Sequence, residues 1–468
     1  MSLCGVKFIA NPTSVQKLVL SQWMGCARFI YNAKCDEDEY YRTFLRSSLA
    51  LTGERTPVDQ TYSQFKSELT PWLSECPSQI LRNSAGRWYE AYQRFFQGLG
   101  GRPTKKKKGR RDSIWLTKEL FQLEIKFDEK SSIKSYQLFI GTKTNNIGYL
   151  SFSPHREFLE PNSITISKKN GNYYVSFNYE DGSEQKTLEQ LMEEFSKLDE
   201  NSLNAIANGL DRGVVIPVMS SNGQAFDFSP EQLAALEKCK ARLEFYQKKL
   251  SRQTLGSKRR EKTRQKIANI HQHIANIRKD FSHKTTHKLA NSESQIFVIE
   301  DLKVKNMTKS PEPKLDEETN TYLPNGANAK AGLNKAILNS CWGQITTFLS
   351  YKTFRLNKLT IKVPPKFTSQ ECAKCGHIHP DSRLSQSEFV CAICNYSENA
   401  DLNAAKVIAK RGIKKILEFS KPQSASSESS PVGTRGSARR GSVRRLGLKP
   451  IAAQEPVSLL VAETSANR

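Results

Sequence analysis

Residues 371–405 read ECAKCGHIHPDSRLSQSEFVCAICNYSENADLNAA. Two Cys-x-x-Cys pairs, Cys372/Cys375 and Cys391/Cys394, are separated by fifteen residues. That is the spacing of a structural zinc site. Each Cys-x-x-Cys turn points two thiolates at one ion, and two such turns close a tetrahedral site with no open position. Seven residues after the last cysteine stands Asp401, at the start of a predicted helix, ADLNAAKVIAKRGIKKILEF. The stretch poses a choice between a free-standing metal module and a knot that places one carboxylate. An acid in a first helical turn also has an ordinary use, opposing the helix dipole. His377 and His379, beside the first knuckle, read as a spare ligand or as surface histidines.

Working outward, the chain has 468 residues, enough for two or three domains with sizeable cores. Its formal net charge is +24 and its isoelectric point about 9.5. Such an excess points to a polyanionic partner, above all nucleic acid. No run of eighteen apolar residues predicts a membrane span, and MSLCGVKFIANPTS lacks the basic-then-apolar layout of a secretory signal. The expected location is cytoplasmic, at the nucleoid in a prokaryote or in the nucleus in a eukaryote. The six cysteines outside the quartet (Cys4, Cys26, Cys35, Cys76, Cys239, Cys341) then read as small core residues rather than disulfides.

The pattern changes along the chain. Residues 1–100 carry apolar positions at helical spacing. GLGGRPTKKKKGRRD predicts a mobile loop; its run from Lys105 to Arg111 suits either a nucleic-acid arm or a nuclear-localisation signal. Residues 113–185 alternate and are β-branched, with an Asn-Gly hairpin signal in KKNGNYYV, which predicts a small antiparallel barrel or sheet. A helical connector follows, then strand, tight turn, strand, Asn-Gly turn, strand over NAIANGLDRGVVIPVMSSNGQAFDFS. Two helices span 231–290, with cations massed where they join. SQIFVIEDL predicts a buried strand ending in acid, residues 308–330 a polar acidic loop, AGLNKAILNSCWGQITTFLSYKTFRL one helix, and KLTIKVPP a strand. From about residue 420 the chain is rich in Ser, Gly and Arg and reads as disordered.

Three acids stand at element ends: Asp211 in GLDRG, Glu300 closing IFVIE, and Asp401. Singly, each has the ordinary reading of a solvated turn residue or a cap. Together they can converge on one cleft. Carboxylates suit Mg²⁺, a hard ion that also takes phosphate oxygens and water. Two such ions can drive phosphodiester hydrolysis without a histidine or lysine base.

In order, GLDRGV, VIEDLKVKNM and CAKCG…CAICNYSENADLNAA resemble the three RuvC motifs and zinc finger of the TnpB family, transposon-encoded RNA-guided DNA nucleases related to type V CRISPR effectors. GCARFIYN, the basic helix pair and SCWGQITTFLSYK extend the resemblance over about residues 5–415. It implies an α/β multidomain chain with an RNase-H-like (RuvC) nuclease domain carrying an inserted zinc ribbon, plus an N-terminal β-barrel (wedge) with an inserted helical recognition domain. The implied boundaries are 1–10 and 101–200 for the wedge, 11–100 for recognition, 201–366 and 396–420 for RuvC, 367–395 for the ribbon and 421–468 for the tail.

The resemblance makes Asp211, Glu300 and Asp401 the catalytic, Mg²⁺-binding carboxylates and the four cysteines ligands of a structural Zn²⁺. It implies a guide RNA, transposon-end or CRISPR-derived, and a double-stranded target DNA cut beside a short adjacent motif. One protein per guide is expected, with a dimer left open. Tyr62 matches a tyrosine that reads the motif, and Gln79, Arg82 and Asn83 lie where further contacts would fall. Lys105, Lys106, Lys258, Arg259 and Arg260 are candidate phosphate contacts. The chain departs from the family in having Glu398-Asn399-Ala400 before Asp401, where His-Asp-Arg is usual, in Asn339 for an aspartate, and in a longer, more acidic segment at 309–330. The other reading is an RNA-guided DNA-binding repressor without cleavage; retention of all three acids favours the enzyme. A strand-transfer transposase lacks its tyrosine or serine recombinase layout here, and a guide-independent junction resolvase does not account for the basic insertions.

Overall fold

The computed structural model describes residues 3–52, 58–109, 112–128, 133–316 and 319–419. The tail beyond 419, and Arg110 and Arg111 of the basic run, lie outside the described residues. The chain is a mixed α/β protein of two compact units that divide between Glu184 and Gln185. No helix among the described residues is long and apolar enough to cross a membrane.

In the first unit, strand β1 (Leu3–Ala10) precedes the long helix α1 (Ser14–Thr52) and helix α2 (Ser78–Phe96). Six strands follow: β2 (Asp112–Thr117), β3 (Phe121–Asp128), β4 (Ile133–Gly141), β5 (Asn146–Ser153), β6 (Ser163–Lys169) and β7 (Asn172–Glu180). They form one seven-stranded sheet in the order β2-β6-β7-β1-β5-β4-β3, antiparallel throughout. β7 shows why. Tyr173, Val175, Phe177 and Tyr179 are buried while the residues between them are not, the period-2 signature of a one-faced strand. The Asn170-Gly171 signal makes the β6–β7 turn, with φ of 50° and 84° as a two-residue primed turn requires. On α1, Leu20, Trp23, Ala27 and Ile30 recur at helical spacing and join the same core. The basic segment read as a mobile loop is tied down at Lys106. Its N–H donates to Asn32 Oδ1 at 2.7 Å and its carbonyl accepts from Asn32 Nδ2 at 3.0 Å.

In the second unit, α3 (Leu188–Ser196), entered through a Thr187/Gln190 capping box, and α4 (Glu200–Ile206) lead into the sheet. Its strands are β8 (Ala207–Asp211), β9 (Val218–Ser220), β10 (Ala225–Phe226), β11 (Ile296–Glu300) and β14 (Leu359–Val363), ordered β10-β9-β8-β11-β14. β8, β11 and β14 are parallel; β9 and β10 are antiparallel additions. Helices α5 (Pro230–Ser251) and α6 (Lys258–Ala290) separate β10 from β11. After β11 come the single turn α7 (Val304–Met307), the ribbon β12 (Lys314–Leu315) and β13 (Tyr322–Leu323), α8 (Ala327–Asn339) and α9 (Trp342–Arg355). Beyond β14 the hairpin β15 (Glu388–Val390) and β16 (Ser397–Asn399) runs directly into α10 (Ala400–Phe419).

Two expectations change here. The acidic loop contains the β12–β13 ribbon. The single helix expected from AGLNKAILNSCWGQ is two, broken at Cys341, whose φ is 61°. The left-handed residue itself is a cysteine and not a glycine. The break turns Trp342 so that its indole N–H donates to the Gly213 carbonyl at 2.9 Å, beside the acid-bearing turn.

β11 is buried along its length and serves two cores. Ile296 and Val298 pack with Ile408, Ile413 and Ile416 of α10 and with Leu191 of α3. Phe297 and Ile299 pack on the other face with Phe281 of α6 and Ile345 of α9. Strands buried on both faces read as unbroken apolar runs, as IFVI does.

Candidate nuclease site and metal knot

Register brings the first two acids together. β8 and β11 are parallel neighbours with Leu210 opposite Ile299, so Asp211 and Glu300 end their strands side by side. The carboxyl end of parallel strands is where open α/β sheets bind ligands. The third acid arrives on α10. A side chain at Gly209 would sit 2.0 Å from the Ala405 carbonyl, so only glycine lets this helix lie directly on β8. Asp401 is one helical turn before Ala405, a rise of about 6 Å. Asp211 is two strand residues past Gly209, about 6.6 Å. The two carboxylates are thereby carried to the same level.

Burial, followed by repulsion from Glu300 and Asp401, pushes the Asp211 carboxyl up to about 7. Burial also raises Asp401, against the pull of Arg383, whose Nη2 is 3.5 Å from Asp401 Oδ1. Glu300 is buried and accepts a 2.6 Å hydrogen bond from the Thr368 hydroxyl. The buried Arg212 donates to the Glu300 carbonyl and, at 2.8 Å, to the Thr346 hydroxyl, while its N–H caps Asp211 Oδ1 at 2.9 Å. The result is a cluster of hard oxygen donors with more negative charge than its cations offset, the chemistry of a divalent-cation site.

The cysteines are closer still. All four Sγ atoms lie within 4.8 Å of one another, and among the described residues this is the group of three or more potential ligands drawn so tightly together. Cys372 to Cys394 is 3.7 Å and Cys375 to Cys391 is 3.6 Å. A tetrahedron of sulfurs each about 2.3 Å from zinc has edges of about 3.8 Å, so the quartet fits Zn²⁺ and could hold it. Backbone N–H groups of Lys374 and Cys394 point at Cys372 and Cys391 Sγ, as thiolates require. Those from Cys394 and Ile393 pull the Cys391 thiol down to about 6.

The knot is bolted to α10. Asn403 is fully buried, accepting from the Ala373 N–H at 2.9 Å and donating to the Glu371 carbonyl at 2.8 Å. Asn399 Oδ1 accepts from the N–H groups of Asp401 and Leu402 at 3.0 and 3.1 Å and so caps the helix. Glu398, where histidine is usual, pairs with Lys406 and accepts from the Tyr396 hydroxyl at 2.7 Å. Asp401 is thus held by the ribbon hairpin, its cap and the Asn403 bolt.

Sequence reading missed Arg383, Thr368, Asn403 and Arg212. Arg212 and Asn403 stand next to recognised motifs; nothing local marks Arg383 or Thr368. The other candidates are scattered. In the first unit, the Tyr62 hydroxyl donates to the Ser78 carbonyl at 3.3 Å, Gln79 is half-buried, Arg82 pairs with Glu119 at 2.5 Å and Lys105 pairs with Asp36. Asn83 is buried, its amide donating to the Trp115 carbonyl at 3.2 Å and the Thr117 hydroxyl at 3.3 Å. In the second, Lys258 and Arg259 are exposed at the α5–α6 tip, while Arg260 donates to the carbonyls of Leu250 and Gln253 and closes the tip.

Three family models match the chain: a probable transposase over residues 192–311, a Cas12f1-like TNB domain over 342–408 and a helix-turn-helix domain over 1–41. A protein of Escherichia coli K12 named as an RNA-guided DNA endonuclease, InsQ, is 30% identical over 420 residues, covering 87% of this chain and 91% of that protein. One from Streptomyces pristinaespiralis, also named as an RNA-guided DNA endonuclease, is 26% identical over 418 residues, covering 87% of this chain and 89% of its own. In fold, the chain is similar to Cas12f1 in its complex with guide RNA and target DNA, with a TM-score of 0.50 at 16% identity over 84% of this chain and 83% of that one. On 30% identity to InsQ over 87% of its own length and on the matched transposase and TNB models, the chain belongs to the TnpB family.

Proposed function

We propose that this protein is an RNA-guided DNA endonuclease that cuts target DNA beside a short adjacent motif, with Asp211, Glu300 and Asp401 as its catalytic carboxylates. The observation that carries the reading is their convergence. Three acids far apart in sequence meet at the carboxyl end of parallel strands, where burial and then the repulsion of Glu300 and Asp401 raise Asp211 to about 7. The names of the relatives, RNA-guided endonucleases, supply guidance and substrate.

The carboxylates of Asp211, Glu300 and Asp401 would hold two Mg²⁺ ions, whose chemistry there would be activation of a water and stabilisation of the leaving oxygen of the phosphodiester. Arg212 stiffens the floor of the site by tying the β8–β9 turn to β11. Thr368 orients Glu300. Arg383 neutralises part of the charge at Asp401. Target sequence would be read by guide pairing and the short motif by the protein. The mixed sheet with its central parallel pair supports an RNase-H-like (RuvC) domain over 201–366 and 396–420, with α3 and α4 on its side. The antiparallel sheet and α1–α2 support a wedge over 1–10 and 101–184 with a recognition insert over 11–100; the expected limit of 200 moves back because α3 packs in the core of the second unit.

The test is purification with the native flanking locus, sequencing of the copurified RNA, and cleavage of a plasmid library with a randomised motif in Mg²⁺. Absence of RNA sinks guidance. Undiminished cleavage by Asp211→Ala sinks the site.

A further inference from the structure

In the first unit a cleft opens between α1, α2 and β2, lined by Arg28, Arg87, Lys106, Asp112, Asn83 and Ser113 among others. Three cations face a single carboxylate. Arg28 is spent on that carboxylate, Asp112, at 2.8 Å, and the Asn83 amide on Trp115 and Thr117. Arg87 and Lys106 remain. Arg87 lies with its guanidinium 5.4 Å from the Trp115 ring centroid, and its one hydrogen bond to a side chain is a long 3.4 Å to the Thr165 hydroxyl. The Lys106 ammonium rests 3.7 Å over Tyr31. Neither forms an ion pair among the described residues.

Two cations held together without a counter-ion raise the energy of the empty cleft. Crowding of its ammonium end, then the repulsion of Arg87, push Lys106 down to about 8, although the residue as a whole is open to solvent. The Lys106 backbone is nonetheless pinned from both sides by Asn32, so the charge is presented at a set place and is not a swinging arm. The space open to the centre of a water-sized group is about 20 Å³, room for a water or an anionic oxygen.

We infer that this cleft, through Arg87 and Lys106, binds a backbone phosphate of the nucleic acid the protein carries. The inference rests on the nucleic-acid reading above and adds a position-setting contact in the first unit. A fork of guanidinium donors beside a compact ammonium suits a phosphodiester, whose oxygens accept from both. The phosphate belongs to guide RNA or to target duplex, and the experiment separates them.

Full-length protein freed of RNA by high salt, and its Arg87→Gln/Lys106→Met variant, would be titrated with the copurified guide RNA and, after reloading, with target duplex across a salt series. Loss of one contact lowers the slope of log affinity against log salt by about 0.7 for single-stranded RNA or about 0.9 for duplex DNA. Affinity for that ligand should fall roughly tenfold, irrespective of sequence. Arg87→Lys/Lys106→Arg, which keeps both charges, should keep most of the slope. Should the double variant fail to fold, Lys106→Met alone, at an exposed position, should still lower it. Slopes and affinities unchanged for both ligands in a folded variant would overturn the inference and leave the two cations only their packing on Trp115 and Tyr31. Such a result leaves RNA copurification and cleavage as they were. Conversely, absence of copurified RNA from the wild type removes guidance, and the cleft is then judged on the duplex arm.

Discussion

The cysteine quartet and the last acid of the carboxylate trio share one short segment of chain, yet quartet and trio are built in opposite ways. The quartet is local. Two knuckles and a hairpin bring four sulfurs within 4.8 Å with little help from the rest of the unit. The trio is global. It needs the register of β8 on β11, a helix lying against Gly209, and a knot to start that helix at the right level. The difference teaches where each is fragile: a local site fails when a ligand is removed, and a global site fails also when its scaffold shifts.

The sharpest break tests the trio directly. Replacing Asp211, Glu300 or Asp401 with Ala should reduce cleavage on the order of 10³-fold or more while guide RNA still copurifies. Residual activity within tenfold of wild type would remove that residue from the site. Next comes the dependence of the trio on the quartet. Metal analysis should find one Zn²⁺ per chain, and Cys372→Ser/Cys391→Ser should lose it and lower cleavage about a hundredfold, because Asp401 loses its support and not its carboxylate. Equal cleavage without zinc would make the knot a separate module.

A smaller effect is expected at the bolt between them. Asn403→Ala strands the Ala373 N–H and the Glu371 carbonyl, at a cost of about 2 kcal/mol. Thermal melts should show the loss, and cleavage should drop about tenfold with zinc content unchanged. If cleavage drops only when zinc does, Asn403 serves the knot and not the alignment.

The smallest effect concerns charge at the trio without metal. A carboxyl whose pKa is raised by folding holds its proton more tightly folded than unfolded. Its contribution is fully present below the unfolded value of 3.8 and is lost as pH rises through about 7. In chelator, Asp211→Asn should therefore match wild type near pH 4 and become more stable than it toward pH 8. Mg²⁺ should narrow that gap. A gap that is flat with pH would mean that neither burial nor Glu300 and Asp401 raise Asp211 in the folded chain.

Legibility followed the same division. The cysteines were readable because two knuckles at a fixed spacing are a local statement. The acids stood at readable strand and helix ends, which allowed a common cleft, but it took the resemblance to make that grouping specific, since nothing in GLDRG, IFVIE or NADLN fixes which ends meet. Arg383, Thr368 and Asn403 were not readable as partners. Each acts across 18 to 68 residues of chain, on Asp401, Glu300 and the knuckle carbonyl of Glu371. The break at Cys341 was hidden as well. Helical periodicity runs through it, and the left-handed residue is a cysteine, tolerated because Trp342 gains the Gly213 carbonyl. The basic segment looked mobile by composition and is pinned at Lys106 by one asparagine that lies 74 residues earlier.

By itself the sequence determined the elements: one-faced strands from period-2 alternation, the Asn170-Gly171 turn, the two-sided apolar run of β11, the zinc-type spacing and the cationic excess. These depend on neighbours a few residues apart, whose geometry the backbone dictates. Only the tertiary structure decided which acid faces which, where Asp401 stands relative to Asp211, and which cations were left without an acid. Those are set by strand register, by the approach of α10 to β8 and by single side-chain ties, and a one-residue slip in any of them would change the site while leaving every local pattern intact.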